Sequence, residues 1–476
     1  MQKLYAGARL RRLREERGLT QTALARMLQL STSYVNQLEN DQRPLTVPVL
    51  LRLNSTFDLE MGFFAVDSDA RLVADLQDVF ADHATTAETT AAEIDDLVTR
   101  HPAAAQALVT MHRRLRGATE QVERLSPPRD GGVSAEPPLS MPYEDVRDFF
   151  YDRRNHIAEL DDAAEQMFVS RDLSLGGLDL QLARLLRDEH AITVRIRTDA
   201  PGVPGPKRSY DATTRTLALA RRLSHGQRAF HLATQLAFLT QKQTIDALVA
   251  AASDLSAESK ALARIGLANY FAGALILPYT QFLRTAESLH YDIDLIGNSF
   301  EVGFETVCHR LSTLQRPGQR GVPFFFVRTD KAGNISKRQS ATAFHFSRVG
   351  GSCPLWVVHD TFSTPGRIRT QVARMPDGRK YLWIARTTDE QSTGGHLSQL
   401  RSFAIGLGCD LAHAHKLVYA RGLNLDDSAT TVPIGAGCKV CDRSDCAQRA
   451  FPQAGRALHI DENRATTVPY TPETPQ

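Results

Sequence analysis

Between Ser126 and Pro142 the chain reads SPPRDGGVSAEPPLSMP, in which ten of 17 residues are Pro, Gly or Ser. Proline lacks the N–H that a helix or ladder needs, and glycine loses the most freedom on ordering, so no regular element runs through it. This stretch is the linker (126–142). It divides the 476 residues into a short amino-terminal part and a longer body, in keeping with roughly two to four domains for a chain of this length. Hydrophobic residues at 42% and charged residues at 23% exclude a disordered protein. No apolar run approaches the ~18 residues of a membrane span. The amino terminus, MQKLYAGARLRRLREERG, is charged where a secretion signal needs its apolar stretch. A cytoplasmic protein with no membrane partner is expected. With 56 Lys plus Arg against 54 Asp plus Glu the net charge is +2, so a nucleic-acid partner has to be argued locally.

The pattern predicts a mainly α, multidomain fold. The first 60 residues carry nine bases and six acids, whereas Ala65–Arg100 carries nine acids and two bases. That asymmetry suggests a DNA-facing unit (1–62) followed by a solvated helical connector (63–125), in which Leu108, Met111, Leu115 and Val122 recur at helical spacing. After the linker, 143–315 reads as helical except for the alternation AITVRIR at Ala191–Arg197. From Val322 the short aromatic runs FFFV, TAFHF, PLWVV and KYLWIAR read as strands, with MPDGRK as a turn, giving an α+β region (316–463). LAHAHKLVYA is a further helix candidate, and the Thr/Pro-rich end (464–476) reads as a disordered tail.

Residues 6–57 parse into four short helices. Ala6, Leu10 and Leu13 share one face of the first, which Gly18 ends. Thr20 and Ser31 are N-cap residues for the next two, joined by a tight connection at Gln29–Leu30. Two helices of about eight residues across so short a turn are a helix-turn-helix, whose second member fits the major groove. The string TQTALARMLQLSTSYVNQLEN resembles the Xre/lambdoid-repressor family. The resemblance implies that Gln21 sets its helix amino terminus on a phosphate. Thr32, Ser33, Asn36 and Gln37 then face base edges, with Ser31 and Tyr34 alongside. Arg43 and Arg11 or Arg12 make phosphate contacts, which position without specifying.

QRAFHLATQLAFL (Gln227–Leu239) and LANYFAGALILP (Leu267–Pro278) resemble the two-helix heart of ImmA/IrrE-type metallopeptidases. There the first helix carries HExxH, two His one turn apart for zinc and a Glu to activate water. The aligned positions here are Thr234, Gln235 and Phe238, and no acid lies between Glu258 and Glu287 to complete the set. His225 and His231 fall off the alignment. The scaffold is peptidase-like without its catalyst, so no enzyme is expected. A retired cleft suits a small effector, with Thr234, Gln235, Phe238 and Tyr270 as its lining.

GAGCKVCDRSDCAQRAFP sets Cys438, Cys441 and Cys446 in a C-x2-C-x4-C array, which in a reducing compartment points to a metal. Zinc needs a fourth ligand, for which Cys409, His413 or His415 would serve; an iron–sulfur cluster usually takes four thiolates. Composition does not separate the two. GGSCPLWVVHDTF, MPDGRKYLWIART, FAIGLGCDLAHAHKLVYARGL and the cysteine array resemble the carboxy-terminal domain of the short-chain fatty acyl transcriptional regulators. That resemblance covers nearly the whole chain. It implies a DNA-binding regulator of propionate or acetate metabolism that senses short-chain acyl-CoA such as propionyl-CoA, with a 4Fe-4S cluster on Cys438, Cys441 and Cys446. Cys409 is the expected fourth ligand and Cys353 the alternative, while Cys308 reads as core. For the acyl-CoA, Arg197 and Arg221 or Arg222 would supply cations and Phe230 would border the acyl slot. A homodimer on operator DNA is expected, since one small module buries too little DNA for strong specificity. The rival readings are a zinc metallopeptidase fused to a DNA-binding domain and a purely redox-sensing repressor.

Overall fold

The computed structural model describes residues 7–40, 42–57, 67–82, 90–125, 142–199, 205–253, 255–342, 344, 346, 352–390, 401–425, 427–441, 443 and 446–452. The linker 126–141 and the tail 464–476 lie outside them. Two compact units are present, residues 1–112 and 113–476.

In the first unit four helices form as the caps and apolar spacing dictate: α1 (Gly7–Glu16), α2 (Gln21–Met27), α3 (Thr32–Glu39) and α4 (Val47–Phe57). Gly18 ends α1 with a φ of 63°, a conformation in which glycine meets no Cβ penalty. Thr20 Oγ1 accepts from the Ala23 N–H at 3.1 Å and Ser31 Oγ from the Tyr34 N–H at 3.1 Å, so both expected caps are made. Leu10, Leu13, Leu24, Leu28, Val35, Leu38, Leu53 and Phe57 fill the core between them. Each fully buried leucine contributes roughly 1.5–3 kcal/mol. The acidic stretch forms α5 (Asp67–Asp82), α6 (Ala91–Arg100) and the start of α7 (Pro102–Leu125). These helices bury Leu76, Val79, Ile94, Val98, Ala105 and Val109 in a small core of their own.

The second unit begins with α8 (Pro142–Asp152), α9 (Ala158–Ser170) and α10 (Leu178–His190). A small sheet follows, made of β1 (Thr193–Arg197), β2 (Arg208–Asp211) and β3 (Thr216–Ala220) in the order β1-β3-β2. β1 runs parallel to β3, and β2 lies antiparallel at its edge. Helices α11 (His225–Thr240), α12 (Lys242–Ala250), α13 (Ala257–Ile276), α14 (Tyr279–Ser288), α15 (Ile293–Phe300) and α16 (Phe304–Leu311) complete this half. The sequence predicted one strand here, and the structure has three. β2 is four polar or aromatic residues and β3 (TLALA) fits a helix equally well, so neither carries a period that marks it.

The second sheet contains β4 (Phe324–Thr329), β5 (Ile335–Ser340), β6 (Arg369–Arg374), β7 (Lys380–Glu390), β8 (Arg401–Asp410) and β9 (Val432–Pro433), ordered β5-β4-β8-β7-β6-β9. MPDGRK makes the expected turn between β6 and β7, closed by the Met375 N–H on the Arg379 carbonyl at 2.9 Å. PLWVV is not a strand. Pro354 and Leu355 turn into a short helix, α17 (Val357–Asp360). LAHAHK winds as a 3-10 helix over Leu411–Lys416. Because successive strand residues point to opposite faces, the sheet separates two cores. Phe324, Phe326, Leu382, Ile384, Leu407 and Cys409 join the cluster built on the helices. Phe325, Val327, Tyr381, Trp383 and Ala385 join an aromatic cluster with Phe344, Phe346 and Trp356.

Among the described residues no single helix is long and apolar enough to cross a membrane. α13 and α14 pass that test only as a pair bent by 61°. Their Leu267, Phe271, Leu275 and Phe282 are fully buried in the protein core.

Candidate functional site

On the first unit, α3 presents Thr32, Ser33 and Asn36 to solvent, with Tyr34 and Gln37 half-buried beside them. The rigidity of this face comes from Glu39, which is 3% exposed. Its carboxylate accepts from Arg14 Nε at 2.6 Å and from Gln21 Nε2 at 2.7 Å, tying α1, α2 and α3 together. The hydrogen bond from Arg14, helped by the Glu39 charge, holds that guanidinium above its usual range. Gln21 therefore has its side chain anchored and its helix amino terminus outermost. The Arg43 guanidinium lies 5.5 Å from the Tyr34 ring centroid, placing a cation beside the recognition helix. Arg11 donates to Asn40 Oδ1 at 2.7 Å. Ser31 serves as the cap of α3.

In the second unit α11 and α13 carry the peptidase-like positions. Thr234 and Gln235 are 2% and 4% exposed. Thr234 Oγ1 donates to the Phe230 carbonyl at 2.8 Å and lies 3.3 Å from Asn269 Oδ1 of the facing helix, so the position of a first zinc ligand is engaged within the protein. Gln235 Oε1 accepts from Arg208 of β2 at 2.6 Å, and the same guanidinium lies 5.4 Å from the Phe238 ring centroid. Burial, with Arg208 and Lys207 adding to it, lowers His231 to about 4, so this ring is neutral. Phe230 packs edge-on against it at 5.8 Å between centroids.

Tyr270 does not join these residues. It faces α9, donating to Asp161 Oδ2 at 2.8 Å and accepting from the Ile157 N–H at 3.1 Å. Asp161 is itself paired with Arg310 at 2.7 Å. Although burial opposes it, Arg310 and the hydrogen bonds hold that carboxyl well below the usual range. Helical spacing alone could not show which face of α13 Tyr270 occupies. Arg197 and Arg222 are also engaged: both pair with Asp199, and they donate to the Pro206 and Gly205 carbonyls at 2.6 and 2.9 Å.

A third site lies on the aromatic side of the large sheet. Cys353, Cys438, Cys441 and Cys446 line one recess together with Gly435, Gly437, Arg443 and Arg449. Cys353 Sγ accepts from the Gly435 N–H at 3.4 Å and Cys438 Sγ from the Ala450 N–H at 3.3 Å. Trp356 Nε1 donates to the Gly435 carbonyl at 2.9 Å, so the loop is pinned to the aromatic cluster. A Cβ on residue 435 would stand 2.6 Å from Cys441 Sγ, so only glycine lets this backbone approach the sulfur. Arg449, 5% exposed, donates to the carbonyls of Cys438 at 3.3 Å and Cys441 at 3.0 Å, and also to that of Arg443. Its Nε has no partner among the described residues.

Cys409, the expected fourth ligand, is not in this recess. It lies across from Phe324 and Leu382 on the helix-side face of the sheet, fully buried, where burial pushes its thiol far up. Cys353 lines the recess instead, with its own thiol raised to about 11 by burial. Neither His413 nor His415 lines the recess, and Cys308 is core, as expected. The four thiols share one recess without standing as a closed ligand set among the described residues. Their chemistry, the amide N–H groups on sulfur, the glycine cradle and a buried guanidinium that meets no carboxylate among the described residues all suit a centre of net negative charge bound by four thiolates.

Residues 10–64 match the helix-turn-helix family model, 187–312 the IrrE N-terminal-like domain and 313–470 the carboxy-terminal domain of the short-chain fatty acyl coenzyme A regulators. The chain is 60% identical to the HTH-type transcriptional regulator PrpR of Mycobacterium tuberculosis, over 98% of this chain and 96% of that one. It therefore belongs to the short-chain fatty acyl coenzyme A regulators. It is 48% identical to the M. tuberculosis regulator RamB over 99% of both chains. It is also 40% identical to the propionyl-CoA carboxylase regulator of Cereibacter sphaeroides, over 98% of this chain and 99% of that one. A solved M. tuberculosis transcriptional regulator superposes with a TM-score of 0.66 at 62% identity, covering 70% of this chain and 99% of that one. Within this regulator fold, sequence reasoning missed Arg208, Asn269, Gly435 and Arg449. Arg449 lay in view inside CAQRAFP, but nothing in the string showed that its side chain would fold back under the cysteines.

Proposed function

We propose that this regulator is a non-enzymatic, DNA-binding transcription factor of short-chain fatty acid metabolism, acting as a homodimer in a reducing cytoplasm. Its effectors are a short-chain acyl-CoA, bound by the peptidase-like half, and a 4Fe-4S cluster, or alternatively zinc, held by Cys353, Cys438, Cys441 and Cys446. The observation that carries the reading is the fate of the hydrolytic positions. Thr234 contacts Asn269, and Gln235 holds a guanidinium, so side chains at the positions that would bind zinc and take a proton from water are spent on bonds inside the protein.

On the operator, Thr32, Ser33, Asn36 and Gln37 read base edges. The amino-terminal ends of α2 and α3 at Gln21 and Ser31, with Tyr34 and Arg43, fix the register on phosphates. Bound, an iron–sulfur cluster supplies a redox- and oxygen-sensitive group to the body. The protein's part is to hold four thiolates, donate N–H groups to Cys353 and Cys438, and balance charge with Arg449. An effector alters DNA binding only through its different affinity for the two arrangements of the heads.

Anaerobic purification with metal analysis, then operator binding with and without propionyl-CoA, tests this reading. Bound iron and a shift in operator affinity of at least about fivefold are expected, the lower end of typical coupling between sites. Unchanged operator affinity at saturating acyl-CoA sinks the metabolite arm. Chelator-sensitive peptide cleavage would restore the metallopeptidase reading.

A further inference from the structure

Among the described residues, helix α7 has two apolar edges, and only one of them enters the core of its unit. Ala105 and Val109 turn inward and complete that core with Leu76, Val79, Ile94 and Val98. Leu108, Met111 and Leu115 lie on the other edge and are 39%, 66% and 52% exposed. Their spacing continues along the helix in both directions, through Ala104 before them and Ala118, Val122 and Leu125 after them. Apolar residues thus recur in alternate steps of four and three across three heptads, the a and d positions of a coiled coil. The charged residues of α7, Arg113, Arg114, Arg116, Glu120, Glu123 and Arg124, all fall off that line. A mean step of about 3.5 residues is slightly shorter than the turn of a straight helix, so it suits a second helix that winds with the first.

We infer that this edge of α7 is a seam that pairs with the same edge on a second copy of the chain, and so joins two DNA-binding heads. The inference rests on the homodimer reading for the presence of a second copy, while the surface itself rests on α7 alone. A copy of the same helix is the occupant because a two-fold pair sets each seam against its own repeat and leaves the charged residues off the line of contact. The edge at Ala105 and Val109 is already spent on α5 and α6, and that packing fixes the rotation at which the seam is shown. The area agrees with such a pair. From Ala104 to Leu125 the seam extends about 33 Å, and a fully buried Leu, Met or Val removes roughly 60–120 Å² from water. Leu108, Met111, Leu115, Val122 and Leu125 on each copy give roughly 600–1,200 Å² in all, which reaches the threshold of about 1,000 Å² for specific association. Because α6, which shares the core of α7, also packs on α1, the pairing is tied to the reading head.

Sedimentation equilibrium on the full chain tests this. Met111→Glu with Leu115→Glu sets like charges into the seam and should raise the dimer dissociation constant at least roughly tenfold. Gln106→Glu with Thr110→Glu adds the same charges on the opposite, exposed side of α7 and should leave that constant unchanged. Met111→Ala with Leu115→Ala removes the seam side chains while favouring helix, and should weaken the dimer in the same direction. Thermal melting checks the fold of each variant, and the alanine pair decides the matter if the glutamate pair melts early. An unchanged dissociation constant in folded seam variants overturns the seam while the homodimer reading stands. Equal weakening by the Gln106 and Thr110 pair marks a general charge effect and overturns the seam as well. Wild-type protein that stays monomeric at every concentration overturns both.

Discussion

The packing of β2 on α11 and the recess behind Trp356 each contain an arginine that meets no carboxylate among the described residues, Arg208 in one and Arg449 in the other. In the recess, four thiols line the same walls, so the chain itself can furnish the negative charge once they ionise on a metal. Among the described residues no such group meets Arg208, which bonds the neutral Gln235 amide instead. The same side chain thus stands beside ionisable groups in one place and beside neutral ones in the other. What separates them is whether nearby residues can ionise.

Replacing a thiol should break the comparison most sharply. Cys353→Ser is expected to remove most of the bound metal from anaerobically purified protein, whereas Cys409→Ser keeps it, since that thiol faces the helix side of the sheet. Equal metal content in the two variants, by elemental analysis, would show that Cys353 does not ligate. Arg449→Met comes next. It strips the cation from the recess and leaves the Cys438 and Cys441 carbonyls short of a donor, so retention against a chelator should fall roughly ten- to a hundredfold, the usual cost of losing an outer-shell partner. Arg449→Lys should recover part of it. Gln37→Ala touches neither recess. By gel shift it should cost roughly 1–3 kcal/mol of operator binding, the worth of a good base contact, while metal content and acyl-CoA affinity stay unchanged.

The smallest effect expected is on acid stability. Burial is the first cause that lowers both His231 and His309 to about 4, against 6.5 unperturbed. Both rings are neutral in the folded protein, and the unfolded chain takes up protons below 6.5. Stability held above that pH is therefore lost as the pH falls from 6.5 toward 4. His231→Gln with His309→Gln should flatten this decline, read as a few degrees less change in Tm between pH 7 and 5. An unchanged slope would mean that other groups govern it.

Much of this was legible in the sequence, and the reason differs by region. Caps and periodicity are local, so Thr20, Ser31 and the apolar stripe of α1–α4 could be read directly. The loss of the HExxH groups was equally plain, because that motif is a fixed spacing on one helix. Side-chain direction across elements was not. Cys353 and Cys409 look alike in sequence, and which one meets the array depends on a sheet face and a loop 82 residues from Gly435. Tyr270 and Thr234 are likewise assigned to different neighbours by the rotation of α13 and α11, a tertiary fact. The four-residue β2, with no period of its own, carried the arginine that bonds Gln235.

The large sheet is a party wall. In β4, Phe324 and Phe326 press on the helical side while Phe325 and Val327 press on the aromatic side, from one backbone and in one register. Trp356, tethered to Gly435 and packed against Phe344, ties the cysteine loop to the aromatic side of that wall. A change of packing on either side of such a partition is borne by the one backbone that both sides share.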